Sequence, residues 1–392
     1  MENSTKTRFL SKPTANNENG GINCINCMSH DTNNLYQYKH TSIIRASDDF
    51  YPRRSYSHTV HLINVAYNSL FLREICLPDW DMFHSQHEVA SLHAAARAIG
   101  GCPIYVSDEP GKHDAGLLKR LVLSDGSVLR ASQSGVPTRD TLFSNVGQDG
   151  VSALKIFNWN SYENMSREEI IGSGVVGAFN VQGVMWNFER RENQIQDPAV
   201  PISWVEAVVR PKDIEMFREN DDRSKRSFIA YGCQSDKLHI LESLESEIRL
   251  QLAHCEWEIY TIVPISKKYG VSWTPIGLAN MLNPSGAITA SGSITKLEPK
   301  NENEIENGEE SKIKLMAELS SRGPGRFLSY STLCPSRLTI GNVYGPSVEN
   351  DFVYDPETGR LEFELPEESD GPHRIVIEWY GTAIQNRRNP FV

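Results

Sequence analysis

The sequence predicts an α/β segment of (β/α)-barrel type followed by an antiparallel, β-sandwich-type domain. Three observations carry this. Short apolar runs alternate with helix-like patterns up to about Leu123. Polar and acidic residues stand where each of those runs ends. From about Asp149 the chain turns to β-formers separated by turn residues. Alternating strands and helices imply a parallel sheet or barrel, whose site lies at the C-terminal strand ends. Regularly spaced β-rich runs imply a sandwich.

Taken in order, Gly21 to Ser29 and Thr41 to Ala46 read as strands. Ser57 to Leu72 reads as a helix, with Val60, Ile63, Leu70 and Phe71 as its candidate buried positions. Glu74 to Leu77 is the third strand. Gln86 to Ile99 is the second helix, built on Val89, Leu92, Ala96 and Ile99 and ended by Gly100-Gly101. Pro103 to Ser107 is a fourth strand and Asp114 to Leu123 a third helix. The β-rich runs that follow are Val151 to Trp159, Gly174 to Asn180, Ile202 to Val209, Ser227 to Tyr231, Ile248 to Leu252, Trp257 to Val263 and Arg374 to Tyr380. Lys300 to Lys312 is charged and nearly free of apolar residues, the composition of a solvated loop.

The chain has 392 residues and a net charge of −11. An acidic balance argues against nucleic-acid binding, which needs a basic surface. It leaves room for a small neutral ligand such as a sugar. The seven cysteines are odd in number and scattered, which suits reduced thiols better than a disulfide framework. The first residues carry no basic and then apolar stretch of a secretory signal, and no apolar run approaches the roughly 20 residues of a membrane span. The expectation is a cytoplasmic protein with no membrane partner.

Arg45-Ala46-Ser47-Asp48-Asp49-Phe50 is the strongest local cluster. Glycosidic chemistry uses two carboxyl groups about the scissile bond. Crowding by a second carboxylate can raise an acid's pKa, and an Arg can orient a carboxylate or hold a hydroxyl. From the cluster alone, a helix N-cap or solvated turn is the plainer reading. Pro78-Asp79-Trp80-Asp81-Met82-Phe83-His84 would suit a pyranose, its ring face on Trp80 and its hydroxyls on the carboxylates. Taken alone, a structural turn with a buried Trp is again favoured. Cys24 and Cys27 form one Cys-x-x-Cys with no second pair at zinc-site spacing, and His84, His87 and His93 lack a zinc-protease arrangement. No metal and no cofactor is expected.

Together these stretches resemble the plant raffinose synthase, seed-imbibition and alkaline α-galactosidase family. Cys27 to His30, Arg45 to Phe50, Tyr67 to Leu72, Pro78 to Ser85, Gly101 to Asp108, Lys119 to Leu123, Asp125 to Arg130 and Pro137 to Asp140 follow in the family's order. Gly177 to Gly183 and Asp351 to Asp355 are also similar, so the likeness runs from about Gly20 to the C-terminus. It implies the C-terminal half of a (β/α)₈ TIM barrel, strands five to eight, over residues 20–148. A C-terminal β domain over 149–392 and a poorly matched polar stretch over 1–19 complete the division.

The resemblance further implies retaining chemistry of glycoside hydrolase family 36, on galactinol, sucrose, raffinose or other α-galactosides. It maps the acid/base to Asp49, with Arg45 as a substrate contact. Trp80 and Asp81 map to the end of the seventh barrel strand, and Cys27 and His30 to the end of the fifth. Asp48 joins the substrate-binding set as a neighbour without an assigned role. The family's nucleophile belongs to a Lys-x-Asp motif upstream of what Gly21 begins, and nothing before Gly20 matches it. The chain by itself is therefore expected to be inactive. After Phe50 the chain runs to the helix at Ser57 without a long insert, which leans toward the seed-imbibition or alkaline α-galactosidase branch. Transfer and hydrolysis both stay open. The rival reading is a non-catalytic sugar-binding or interaction module.

Overall fold

The structure is a computed structural model that describes residues 24–38, 41–165, 172–196, 202–218, 226–297, 313–342, 346–367 and 371–381. The polar stretch 1–19 and Lys300 to Lys312 lie outside the described residues. β1 (Ile25–Asn26), β2 (Ile43–Arg45) and β3 (Leu77–Asp79) form a parallel sheet in that order. Their register pairs Ile25 with Ile43 and Arg45 with Asp79. The third strand starts where Glu74 to Leu77 was expected to end. The strand expected over Pro103 to Ser107 is reduced to one parallel bridge between Phe83 and Val106.

Helix α1 spans Ser57–Leu72, as its periodicity predicts. Leu62, Val65, Ala66, Ser69 and Leu72 recur at the three- and four-residue spacing that makes one buried face. Val60 is buried with them and Ile63 is half-buried, but Leu70 and Phe71 are exposed. They fall beside the stripe through Leu62, Val65 and Ser69, so their hydrophobicity alone misplaced them.

Helix α2 spans Ala90–Gly100, four residues shorter at its start than expected. Val89, Leu92, Ala96 and Ile99 are buried as predicted. Gly101 ends the helix in the left-handed region, φ 67°. A Cβ there would stand 1.7 Å from the Gln133 carbonyl oxygen, so only glycine fits. The helix expected from Asp114 to Leu123 is one turn, Ala115–Leu118, capped by Asp114 accepting the Leu117 N–H at 2.9 Å.

The remaining chain is antiparallel almost throughout. A six-stranded sheet runs in the order Leu238–Leu241, Phe228–Gly232, Trp257–Pro264, Gly172–Phe179, Leu154–Ser161, Val136–Pro137. Ile99 and Ala94, Ala95, Ala96 and Ala98 of α2 share a core with its Leu154, Ile156, Val175 and Phe179. The Asn158 amide donates to the Ile99 and Gln133 carbonyls, each at 2.7 Å, which ties α2 to this sheet. Val205–Val209 and Ile248–Leu252 pair with each other and pack on the sheet's other face.

Two further sheets form a sandwich. One is centred on Val271–Leu278, Gly325–Ser331 and Arg360–Leu365, the other on Arg337–Asn342, His373–Gly381 and Ile313–Ser321. Trp273, Phe327 and Phe363 from one meet Leu315, Leu338 and Ile377 from the other. Directly opposed Phe327 and Phe363 stack with centroids 5.1 Å apart. A two-stranded hairpin, Val184–Asn187 with Glu192–Ile195, leaves these sheets and runs back toward the loop after β2.

Candidate functional site

Parallel pairing of β2 with β3 brings Arg45 beside Asp79, so the loops after both strands leave the same sheet end. The β2 loop is held at its root. The Ala46 N–H donates to the Asp79 carbonyl at 3.3 Å, and Asn68 of α1 donates to the Ala46 carbonyl at 2.7 Å. In the β3 loop Asp81 adopts a left-handed backbone, φ 63°, and its N–H donates to the Asp79 carboxylate at 3.0 Å. That turn sends the Asp81 side chain back under the β2 loop.

Arg45 joins the two loops. One guanidinium nitrogen donates to Asp81 at 2.5 Å and the other donates to Asp49. The second Asp81 oxygen accepts the Phe50 N–H at 2.9 Å. Asp81 is buried, whereas the Asp49 side chain is 38% exposed. Tyr51 donates its hydroxyl to the free oxygen of Asp49 at 3.1 Å. Cys27, from the loop after β1, stands close enough to Arg45 to favour its charge. Burial pulls the Arg45 guanidinium down, but Asp81 and Cys27 outweigh it and hold the group above its ordinary value.

The predicted residues therefore divide. Cys27, Arg45, Asp49 and Asp81 come together. Asp48 points outward, its carboxylate accepting the amides of Asn64 at 3.1 Å and Asn193 at 3.0 Å. His30 is exposed, and no hydrogen bond or ion pair among the described residues joins it to the cluster. Trp80 corrects the expectation of a stacking platform. It is fully buried, and a Cβ on Gly100 would lie 2.9 Å from its indole ring, so no ring face is open to a sugar. The physical reason is the turn at Asp81: it brings the carboxylate under the β2 loop and leaves the indole in the core below α2.

Behind the loop, Arg97 is fully buried and donates to the carbonyls of Trp80 at 2.7 Å and of Asp81 and Met82 at 3.2 Å. A cation spent on three successive carbonyls fixes the turn that aims Asp81. Phe50 stands in a ring of imidazoles, with His93 at 4.7 Å, His87 at 5.4 Å and His61 at 5.5 Å between centroids. Burial and the nearby Arg97 push His61 well below its ordinary value. Burial pushes Asp79 up, although Tyr105 donates to it at 2.7 Å.

Ligand atoms of His58, His87 and Glu88 lie within 4.8 Å of one another, a group that sequence spacing did not bring out. Both imidazoles already direct Nε2 at the Pro52 carbonyl, at 3.1 and 3.0 Å. No described helix is long and apolar enough to cross a membrane.

Residues 8–365 match the family described as raffinose synthase or seed imbibition protein Sip1. The chain belongs to that family. Among curated members, a probable galactinol–sucrose galactosyltransferase 6 of Arabidopsis thaliana is 42% identical over 361 residues, covering 91% of this chain and 44% of the relative. A galactinol–sucrose galactosyltransferase of Oryza sativa subsp. japonica is 37% identical over 325 residues, covering 82% and 37%. A stachyose synthase of Pisum sativum is 32% identical over 371 residues, covering 91% and 39%. The chain thus spans less than half the length of these relatives.

Sequence reasoning about this raffinose synthase family member missed Tyr51, Asn64, Arg97, Tyr105 and Asn193. Tyr51 lay one residue past the motif and was open to inspection. Arg97 carried a signal as well: a cation among seven apolar residues of a helix wants a buried acceptor. Asn193 meets Asp48 across 145 residues, and no local pattern announces such a contact.

Proposed function

We propose that this chain contributes the acid/base side of a site for retaining α-galactosyl transfer or hydrolysis, with Asp49 as the proton-transfer group. The observation that carries the reading is the unequal exposure of two carboxylates on one guanidinium. Asp81 is 1% exposed and spends both oxygens on Arg45 and Phe50, the place of an anchor. Asp49 is open to solvent and steadied from two sides by Arg45 and Tyr51, the place of a group that meets a ligand. Carboxylates in contrasting surroundings take contrasting roles. The names of the relatives, galactinol–sucrose galactosyltransferase and stachyose synthase, support galactosides as the substrate class.

In this reading the parallel sheet is the second half of a (β/α)₈ barrel over 20–148, with a β domain over 149–392, acting in the cytoplasm on galactinol, sucrose or raffinose. Arg45 and Cys27 border the sugar, and Asp81 acts through Arg45. Retention needs a second carboxylate roughly 5–5.5 Å from the first. Asp81 spends both oxygens on Arg45 and Phe50, Asp79 is fully buried with one oxygen on Tyr105 and the Asp81 N–H, and Asp48 turns outward to Asn64 and Asn193, so none of them is offered as nucleophile.

The test uses the 392-residue chain. Galactose is titrated by calorimetry against the wild type, Arg45→Met and Asp49→Asn, and turnover is followed on an aryl α-galactoside and on galactinol with sucrose. Galactose binding lost in Arg45→Met, with no turnover, is the expected result. Binding that is indifferent to Arg45 would overturn the assignment. Binding without turnover also leaves the chain a sugar-binding role on its own. Turnover that depends on Asp49 would mean that one of these three carboxylates does serve as nucleophile.

A further inference from the structure

We propose that the hairpin Val184–Ile195, together with Tyr51, builds a subsite for a second saccharide unit beside Asp49, with Trp186 as its stacking platform. The proposal rests on the reading of Asp49 above and deepens it.

Trp186 stands directly opposite Asn193 in the hairpin register, and Val184 stands opposite Ile195. Opposed residues of an antiparallel pair share a face, as do residues two apart on one strand. Val184, Trp186 and Asn193 therefore point the same way. Two of them show what that face looks upon. The Val184 side chain is buried, and a Cβ on Gly147 would lie 3.0 Å from both Val184 and Ile63 of α1, so the base of the hairpin packs toward that helix. The Asn193 amide donates to the Asp48 carboxylate at 3.0 Å, immediately beside Asp49. Asn64 of α1 donates to the same oxygen at 3.1 Å, so helix, loop and hairpin are joined at one atom.

Trp186 lies two residues along the strand from Val184 and directly across from Asn193, on the same face, and remains 44% exposed. Its ring is thus held at the edge of the candidate site without being consumed by packing. Tyr51 supplies a second half-exposed ring, 43%, fixed at one end by its bond to Asp49 and backed by Arg54, whose guanidinium lies 5.1 Å from the ring centre. Two aromatic faces bordered by amide and carboxylate groups match a sugar ring, which has an apolar C–H face and a polar rim. The rim carries both signs, with Asp48 and Asp49 set against Arg54 on the Tyr51 ring and Glu192 paired with Arg190 at 3.8 Å, and such mixed donors and acceptors suit a neutral saccharide. In transfer the subsite would hold the donor's departing group in the first half of the reaction and, once that has left, a different molecule, the saccharide acceptor, in the second.

Sucrose and galactose are titrated separately against the 392-residue chain, with indole N–H signals followed by NMR and the Trp186 signal assigned from its absence in Trp186→Phe. Sucrose should move the Trp186 signal. Trp186→Ala should weaken sucrose about tenfold, Trp186→Phe should keep most of the affinity, and galactose affinity should be the same in all three proteins. Unchanged urea midpoints establish that the variants are folded. Sucrose affinity equal in the wild type and Trp186→Ala, or galactose weakened as much as sucrose, overturns the subsite. Sucrose binding at Trp186 with no galactose binding keeps the subsite and removes the reading of Asp49 instead. Binding of neither sugar overturns the subsite.

Discussion

The Asp81 carboxylate accepts the backbone N–H of Phe50 at 2.9 Å, which makes a buried acid the fastener between the loops after two parallel strands. Its other oxygen carries Arg45, whose side chain is itself nearly buried. Removing Asp81 leaves the nearly buried Arg45 with only the half-exposed Asp49 and the Phe50 N–H without an acceptor, a loss that approaches the about 3–5 kcal/mol of a broken buried pair. Asp81→Ala should lose that much in urea unfolding. Asp81→Asn keeps an acceptor for Phe50 and should lose less. A loss under about 1 kcal/mol in Asp81→Ala would mean that the loops do not depend on this fastener.

Asp49 predicts the opposite behaviour on the same guanidinium. Its side chain is 38% exposed, and Arg45 retains Asp81 when Asp49 is neutralised. Exposed pairs contribute about 0–1 kcal/mol. Asp49→Asn should therefore unfold within about 1 kcal/mol of the wild type. A large loss would make Asp49 a structural residue and weaken its assignment to proton transfer.

The legible parts of the fold were those whose signal is local. Helix α1 ends where its periodicity ends, and Gly101 takes the left-handed cap its type suggests. Trp257–Pro264 and Ile248–Leu252 were visible as β-rich runs, the first by its β-branched and aromatic residues. Much of the sandwich was missed although part of it was readable. Leu361, Phe363 and Leu365 alternate with Arg360, Glu362 and Glu364 and are buried as alternation requires. Val271–Leu278 hid itself, because Pro275 and Gly277 interrupt it and the ladder shifts register between them. At the site, motif residues Arg45, Asp49 and Asp81 did meet. What sequence order could not convey was direction: the left-handed turn at Asp81 decides that the acid faces the loop and Trp80 the core.

Lys155 tests the antiparallel region. Its ammonium, 4% exposed, donates to the Val208 carbonyl at 2.6 Å and meets Asp213 at 2.8 Å and Asp140 at 2.7 Å. Burial holds Asp213 above the usual carboxylate value despite the nearby ammonium. Lys155→Met should cost about 3–5 kcal/mol, because Asp213 is left buried without its cation. Adding Asp213→Asn should recover part of that, since the neutral amide is cheaper to bury and can still accept the Arg210 N–H. Equal stability of the single and double variants would show that Asp213 is not what makes the lysine necessary.

The imidazoles behind Phe50 make the fold sensitive to acid. His61 directs Nδ1 at the Ser57 carbonyl, 2.6 Å away, and faces the Arg97 guanidinium with Nε2 at 3.4 Å. His93 directs Nε2 at the His58 carbonyl at 2.8 Å. Burial, followed by Arg97 for His61 and by His61 and Arg97 for His93, pushes both groups well below their ordinary value. Below about pH 6.5 the unfolded chain takes up protons that the folded chain refuses. The stability these neutral rings contribute is therefore fully present above that pH and is lost as pH falls toward the folded values. Each contributes up to about 1.4 kcal/mol per pH unit across that window. His58, displaced downward chiefly by burial, adds in the same direction, whereas Asp79, displaced upward, acts with the opposite sign. Urea unfolding at pH 7.5, 6.5 and 5.5 should show little change over the first step and a clear loss over the second. His93→Asn removes one of the displaced groups and should flatten the second step. If the variant lost as much between pH 6.5 and 5.5 as the wild type, the acid sensitivity would have to arise away from this cluster.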